Sequence, residues 1–304
     1  MKLARLVSTL IVSAVVAACA IGTADDDNDR FPTSSSYPAG TMERIDFTAG
    51  VPEGWRISAL QTPARPDATW KVVIITGTPS WSEYWAPTIA GLPQTREIIV
   101  ADRPGFRSSE PEDAVRDLTQ QADALAPMLQ ARAGQRILLV GQSFGAPVAT
   151  LMAQRHPEQV DAVVLVSAFF GDRGPTARRM IGAGRLFQGV LPRDLKNSIA
   201  EVTAQRDQLP QVWSALRGLD QPVVFVHGDD DTFVPLAAEQ RIASEYGHTL
   251  VVIPGGDHFL NACCVPALLG AFEQAIAEAE GRENAQPPVA QPADPDPSGG
   301  PNLR

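Results

Sequence analysis

The sequence predicts an α/β architecture: a mostly parallel, doubly wound sheet with helices on both faces and a short helical lid. Three observations carry this expectation. Short apolar runs alternate with amphipathic segments along most of the chain, the pattern of strands buried on both faces and joined by crossover helices. Gly141-Gln142-Ser143-Phe144-Gly145 joins an apolar run at 137–140 to a helical segment at 146–153, giving strand, tight turn and helix. The alternation then lapses over 169–219, where short helical patterns occur without a clear strand, and resumes afterwards.

The chain has 304 residues, 44% of them hydrophobic, enough for one large core. Its formal net charge is −10. No basic cluster stands out along the body of the chain, so nucleic acid is not an expected partner. At the start, Lys2 and Arg5 precede an apolar run to Ala18 that is too short to span a bilayer comfortably. Residues 1–18 therefore read as a secretory signal. Val16-Ala17-Ala18-Cys19 resembles a bacterial lipobox. That resemblance implies a lipidated Cys19 as first mature residue, a membrane partner through this anchor, and a place in the bacterial cell envelope facing the periplasm or exterior. Several acyl chains on one cysteine anchor stably where one does not. The alternative is an ordinary signal with Cys19 incidental. Residues 19–42 are rich in Asp, Ser and Pro and read as a flexible tether. Residues 43–281 form the folded unit, and the Pro-rich 282–304 reads as a disordered tail.

Taken in order, Trp55 to Leu60 reads as an early strand that residues 44–47 can pair with. A buried strand at 71–76 runs into Gly77-Thr78-Pro79, and a helix follows at 82–92. Residues 96–102 form the next strand. A helix at 113–132 places Val115, Leu118, Ala122, Leu125 and Leu129 on one face. The serine turn and its helix end at His156-Pro157. Strands at 161–166, 222–227 and 249–253 follow, with helices at 237–246 and 267–280, the last turning Leu268, Phe272, Ile276 and Ala279 inward.

Strand, Gly-x-Ser-x-Gly, helix is the setting of a nucleophile elbow: a tight turn that exposes a serine hydroxyl above a sheet. A serine hydroxyl needs a base to take its proton. Of four histidines, His156 ends a helix, His227 ends a strand and reads as packed, and His248 sits in a turn. His258 follows the last strand in Gly256-Asp257-His258, at the same sheet edge as Ser143, where sites form in open parallel sheets. The base in turn needs an acid to fix its tautomer. Asp229, Asp230 and Asp231 all follow the penultimate strand, and one of them can reach His258.

Five stretches in this order resemble the α/β-hydrolase fold family over roughly residues 45–280: Thr76-Gly77-Thr78-Pro79, Asp102-Arg103-Pro104-Gly105-Phe106, Gly141-Gln142-Ser143-Phe144-Gly145, the run from His227 to Pro235, and Gly256-Asp257-His258. The resemblance implies a Ser-Asp-His triad of Ser143, Asp231 and His258, no cofactor or metal, and a lid, placed here at 169–219. Asp231 is the aspartate that falls in the family's Gly-x-x-Asp-x-x-Val pattern; Asp229 reads as still part of the strand end. The resemblance further implies an oxyanion hole from the N–H groups of Phe144 and Thr78, since Pro79 has no N–H.

Two departures stand out. Thr76 replaces the family's common histidine, removing a side chain that helps fix the loop. Arg107 occupies a position that is usually glycine, which points to a locally different loop. Trp81, Trp85, Phe106 and Phe144 lie on loops near the mouth; Trp81 and Phe106 are the expected substrate contacts, and Trp85 reads equally as core. Cys263 and Cys264 are adjacent, with Cα atoms below the usual disulfide spacing, so two packed thiols are expected. The alternative is a vicinal disulfide stiffening the loop of His258. The expected function is cleavage of a small ester or acyl substrate by a serine hydrolase. An amidase or aminopeptidase with the same triad is the nearest alternative, and a non-catalytic binding protein on the same scaffold a more distant one.

Overall fold

The structure is a computed structural model, and it describes residues 32–285. The signal at 1–18, the lipobox cysteine Cys19, the first part of the tether and the tail beyond 285 lie outside the described residues.

Eight strands form one sheet in the order β1-β2-β4-β3-β5-β6-β7-β8. They are β1 (Glu43–Thr48), β2 (Arg56–Gln61), β3 (Trp70–Ile75), β4 (Arg96–Ala101), β5 (Arg136–Gln142), β6 (Ala162–Val166), β7 (Val223–Gly228) and β8 (Thr249–Ile253). The first two strands pair antiparallel, β2 meets β4 antiparallel, and every later pairing is parallel. Side chains alternate across a strand, and the core divides accordingly. Val73, Ile75, Ile137, Leu139, Val163 and Leu165 pack on one face. Their neighbours Val72, Ile74, Leu138, Val140, Val164 and Val166 pack on the other.

The first face is covered by α2 (Leu118–Leu125), α3 (Gly145–Arg155), α6 (Leu209–Arg217) and α7 (Leu236–Tyr246). The second is covered by α1 (Ala86–Gly91) and α9 (Val265–Ala285), with the single turn α8 (Leu260–Cys263) beside them. In α9, Leu268, Phe272, Ile276 and Ala279 are all buried against the sheet. Two further helices, α4 (Pro175–Phe187) and α5 (Arg193–Ala204), lie between β6 and β7 and roof the sheet edge.

Three boundaries and the state of the two cysteines differ from the sequence reading. The segment at 113–132 is helical only from Leu118 to Leu125, followed by a 3₁₀ turn from Ala126 to Leu129. Asp117 caps the helix by accepting from Thr119 N and Gln120 N, and Pro127 cannot continue it. The tether is not free up to residue 42. Ser34 donates its N–H and hydroxyl to Glu83, and Tyr37 and Met42 pack against the core. The last helix runs four residues past 281, to Ala285. Cys263 and Cys264 are joined by a disulfide rather than left as two thiols. Cys264 leaves helical geometry at the end of α8 (φ −136°, ψ 33°), which turns its sulfur back towards that of Cys263.

Candidate active site

At the end of β5 the chain turns so sharply that Ser143 takes φ +51°, a left-handed conformation costly for a residue with a Cβ. Two glycines make room for this. A Cβ on Gly145 would stand 2.2 Å from the carbonyl oxygen of Ile75, and one on Gly141 2.6 Å from Ala146 Cα. The α3 N-terminus therefore sits against β3, and the Ser143 backbone is pinned by Ser143 N to Val166 O and Phe169 N to Ser143 O.

The structure brings Ser143, His258 and Asp231 into one hydrogen-bonded chain. His258 Nε2 is 3.0 Å from Ser143 Oγ, and His258 Nδ1 is 2.7 Å from Asp231 Oδ2. The other Asp231 oxygen, Oδ1, accepts from Phe233 N at 2.7 Å and Val234 N at 2.9 Å. Burial raises the Asp231 pKa, but its hydrogen bond to His258, the His258 charge and the Val234 N–H outweigh burial. The carboxyl is held below its ordinary value, as a carboxylate. That carboxylate accepts from Nδ1–H and leaves Nε2 free to take the proton of Ser143. Phe233 stacks on the His258 ring, with centroids 4.8 Å apart.

The three neighbouring aspartates do different things. Asp229 is exposed, lies in the turn just past β7 rather than in the strand, and accepts from Gly255 N. Asp230 is exposed. Only Asp231 turns inward to His258.

A second buried pair stands behind Asp231, and sequence reasoning gave it no role. His227 Nε2 donates to Val234 O at 3.1 Å and lies 3.6 Å from Asp231 Oδ2; its Nδ1 is 3.1 Å from Glu239 Oε1. Glu239 also accepts from Ala168 N, next to the residue that holds the Ser143 carbonyl. The carboxylate thus ties the β6 loop to the loop of the triad aspartate. Burial depresses the His227 pKa, yet Glu239 and Asp231 together raise it above its ordinary value. Burial also pushes the Glu239 carboxyl up. A histidine ending the penultimate strand, with a glutamate on the next helix, was the available signal.

The loop after β3 is held without the histidine that Thr76 replaces. Gly77 N donates to Gln142 Oε1 at 3.1 Å, and Arg103 Nη2 donates to Gly77 O at 2.8 Å. Arg103 is fully buried and bridges to Glu201 of α5 at 2.8 Å and to Gln121 at 2.6 Å. Thr78 Oγ1 donates to Ser198 Oγ, also on α5. Arg107 itself takes a positive φ, +46°. Its guanidinium lies 4.5 Å from the centre of the Trp81 ring, a contact a glycine cannot make.

Ser143 and His258 open into a cavity of about 670 Å³, within the usual range for small-molecule sites. Thr78 and Phe144 border it beside Ser143, and Trp81 forms part of its wall. Lid residues such as Met180, Ile181, Leu191 and Ile199 close it from above. Phe106 does not reach the cavity. It is fully buried beneath the Arg103 guanidinium, 4.7 Å away, so the expected substrate contact is a packing residue. Trp85 is likewise wholly core.

Comparison with known proteins bears on the fold. Residues 71–217 match the family model described as alpha/beta hydrolase fold. A biotin biosynthesis bifunctional protein of Cellvibrio japonicus is 24% identical over 238 residues, which is 66% of this chain and 46% of that protein. The 2-hydroxymuconate semialdehyde hydrolase of a Pseudomonas species is 27% identical over 201 residues, 55% of this chain and 71% of that enzyme. Among solved structures, a thermophilic esterase from Thermogutta terrifontis superposes with a TM-score of 0.62 at 18% identity, covering 78% of this chain and 99% of the esterase. The chain thus spans about half the length of the first of these relatives and about seven tenths of the second.

Proposed function

For a chain that has the α/β-hydrolase fold and a continuous Ser-His-Asp hydrogen-bond chain, we propose a serine hydrolase that cleaves carboxylic esters through an acyl-enzyme. The observation that carries this reading is the path Asp231 to His258 to Ser143, opening directly into an apolar cavity. His258 Nε2 takes the proton as Ser143 Oγ attacks the ester carbonyl. The N–H groups of Phe144 and Thr78 receive the oxyanion of the tetrahedral intermediate. The imidazolium, stabilised by Asp231, returns the proton to the departing alcohol. Water then repeats the sequence on the acyl-serine. Trp81 and the lid side chains hold the acyl group.

An amidase or aminopeptidase would use the same three residues. An aminopeptidase needs a carboxylate to hold the substrate amine. Asp194 is the acid lining the cavity outside the triad, and it is taken up by Arg193 at 3.0 Å. This favours the ester. A purely binding role leaves the positioned base and nucleophile without purpose.

The test is product partitioning. Esters of one acid with different alcohols, hydrolysed with hydroxylamine present, give one ratio of hydroxamate to acid if a common acyl-enzyme forms. A ratio that follows the leaving alcohol, or faster cleavage of the matching amides, contradicts the proposal. We further infer that Cys19 carries a lipid anchor in a bacterial envelope, on the strength of Val16-Ala17-Ala18-Cys19. Mass spectrometry of the mature wild-type N-terminus should then find a lipidated Cys19, absent from Cys19→Ala; an unmodified Cys19, or a mature N-terminus at Ala20 or later, contradicts the anchor.

A further inference from the structure

The helix that roofs the cavity has two faces of opposite chemistry. Inward, α4 sets Ala177, Met180, Ile181 and Gly184 on the cavity, at the spacings of three and four that share one helix face. Outward it exposes Arg178, Arg179, Arg185 and Leu186. Leu186 is 77% exposed, and Val190, in the 3₁₀ turn that follows, is 71% exposed. Among the described residues the other exposed large aliphatic is Val252, at 38% on the last strand. From Arg173 to Arg193 the chain holds five arginines and no acidic residue, in a protein of net charge −10. They are spread along the sequence, which is why no basic cluster stands out there; α4 exposes three of them, Arg178, Arg179 and Arg185. Arg178 donates to the Arg173 carbonyl and Arg185 to Thr203 Oγ1. Among the described residues none of Arg178, Arg179 and Arg185 is ion-paired.

Unpaired arginines beside exposed aliphatics on a helix match a surface that is both anionic and apolar. Nucleic acid offers the charge but no apolar phase for Leu186 and Val190. A lipid surface with anionic headgroups offers both. Arginine binds phosphate through paired N–H donors, and the aliphatic side chains enter the acyl boundary. We propose that the outer face of α4 and the turn after it dock on an anionic phospholipid surface. Val190 leads straight into Leu191, Pro192 and Arg193, which border the cavity. Docking therefore sets the cavity wall against the lipid, and the substrate is the acyl chain of an amphiphile drawn from that phase. Docking is independent of the ester reading; the identity of the substrate rests on it.

The test measures vesicle partitioning of the full chain in a Cys19→Ala background, so that no lipid anchor contributes and the leader is common to all variants. Vesicles of phosphatidylglycerol with phosphatidylcholine are compared with phosphatidylcholine alone. The triple variant Arg178→Glu/Arg179→Glu/Arg185→Glu is expected to bind anionic vesicles about 100-fold more weakly, from a loss of about fivefold per arginine, and neutral vesicles unchanged. Leu186→Ser/Val190→Ser is expected to lose binding to both. None of these five residues borders the cavity, so the rate on a short water-soluble ester stays normal and reports an intact fold. Equal binding of wild type and triple variant to anionic vesicles overturns the proposal. So does a wild-type chain that self-associates and is made monomeric by the triple variant, which would make this face a contact between copies. Loss of all ester hydrolysis with partitioning as expected overturns the catalytic reading and leaves docking standing.

Discussion

Ser143 at the sheet edge and Glu201 in the lid are fixed by different means. Ser143 is set by the sheet: a parallel register, a left-handed backbone and two glycines admit a single geometry. Glu201 belongs to a lid of short helices and is fixed by one fully buried ion pair, to Arg103. The sheet edge holds Ser143 by backbone and side-chain hydrogen bonds, whereas the lid gives the cavity apolar side chains and turns arginines outward. The difference separates two properties. On the proposed function, the sheet edge sets which bond can be attacked and the lid which molecule arrives there. Arg103 is the joint, since it holds Gly77 O on the sheet side and Glu201 on the lid side.

Substitutions can break that comparison on either side. The largest effect is expected at the sheet edge. Asp231→Asn removes the carboxylate that sets the His258 tautomer, and kcat falls by on the order of 10⁴ while the thermal midpoint changes little. Asp229→Asn and Asp230→Asn keep kcat within about tenfold. Collapse in either neighbour with normal turnover in Asp231→Asn reverses the assignment. At the joint, Glu201→Gln leaves Arg103 buried and unpaired, and denaturant unfolding should show a loss of about 3–5 kcal/mol. A loss under about 1 kcal/mol means that the lid is held by its other contacts and not by this ion pair.

Within the lid, Ile181→Trp narrows the cavity without touching the triad. KM for long-chain esters should rise by about tenfold or more, with kcat on short esters unchanged. Equal losses on both place Ile181 outside the acyl path.

The smallest effect is in pH dependence. His227 is held above its ordinary value of about 6.5. Its contribution to stability is complete below that pH and is lost as pH rises through the folded value. Glu239, also raised, acts in the same direction from its own ordinary range upward. Asp231, lowered, contributes above its ordinary value and loses this only as pH falls through the folded one. Between about pH 5.5 and 8 the melting temperature should therefore decline. Glu239→Gln removes the partner that raises His227, so the decline should flatten. A steeper decline in that variant contradicts the pairing.

The sheet was legible because parallel strands buried on both faces read as apolar runs, and the serine turn because sterics admit only small residues around it. Ser143, Asp231 and His258 were legible together because each lies on a loop that follows a strand at one edge of the sheet. Arg103 and Glu201 were not, because a buried ion pair between residues 98 apart leaves no local pattern. Phe106 misled because an aromatic on a mouth loop can turn either way, and here a buried guanidinium draws it inward. The docked Ser34 and the late start of α2 depended on hydrogen bonds to Glu83 and to the Asp117 cap that composition does not report.

The central claim is that Ser143 is the nucleophile, activated by His258. Intact-mass spectrometry after treatment with a fluorophosphonate tests it most directly. One adduct per chain is predicted for the wild type, mapping to the peptide with Ser143. Ser143→Ala should take up none, and His258→Gln should react slower by several orders of magnitude. An adduct that persists in Ser143→Ala, or a His258→Gln variant labelled at the wild-type rate, would contradict the account.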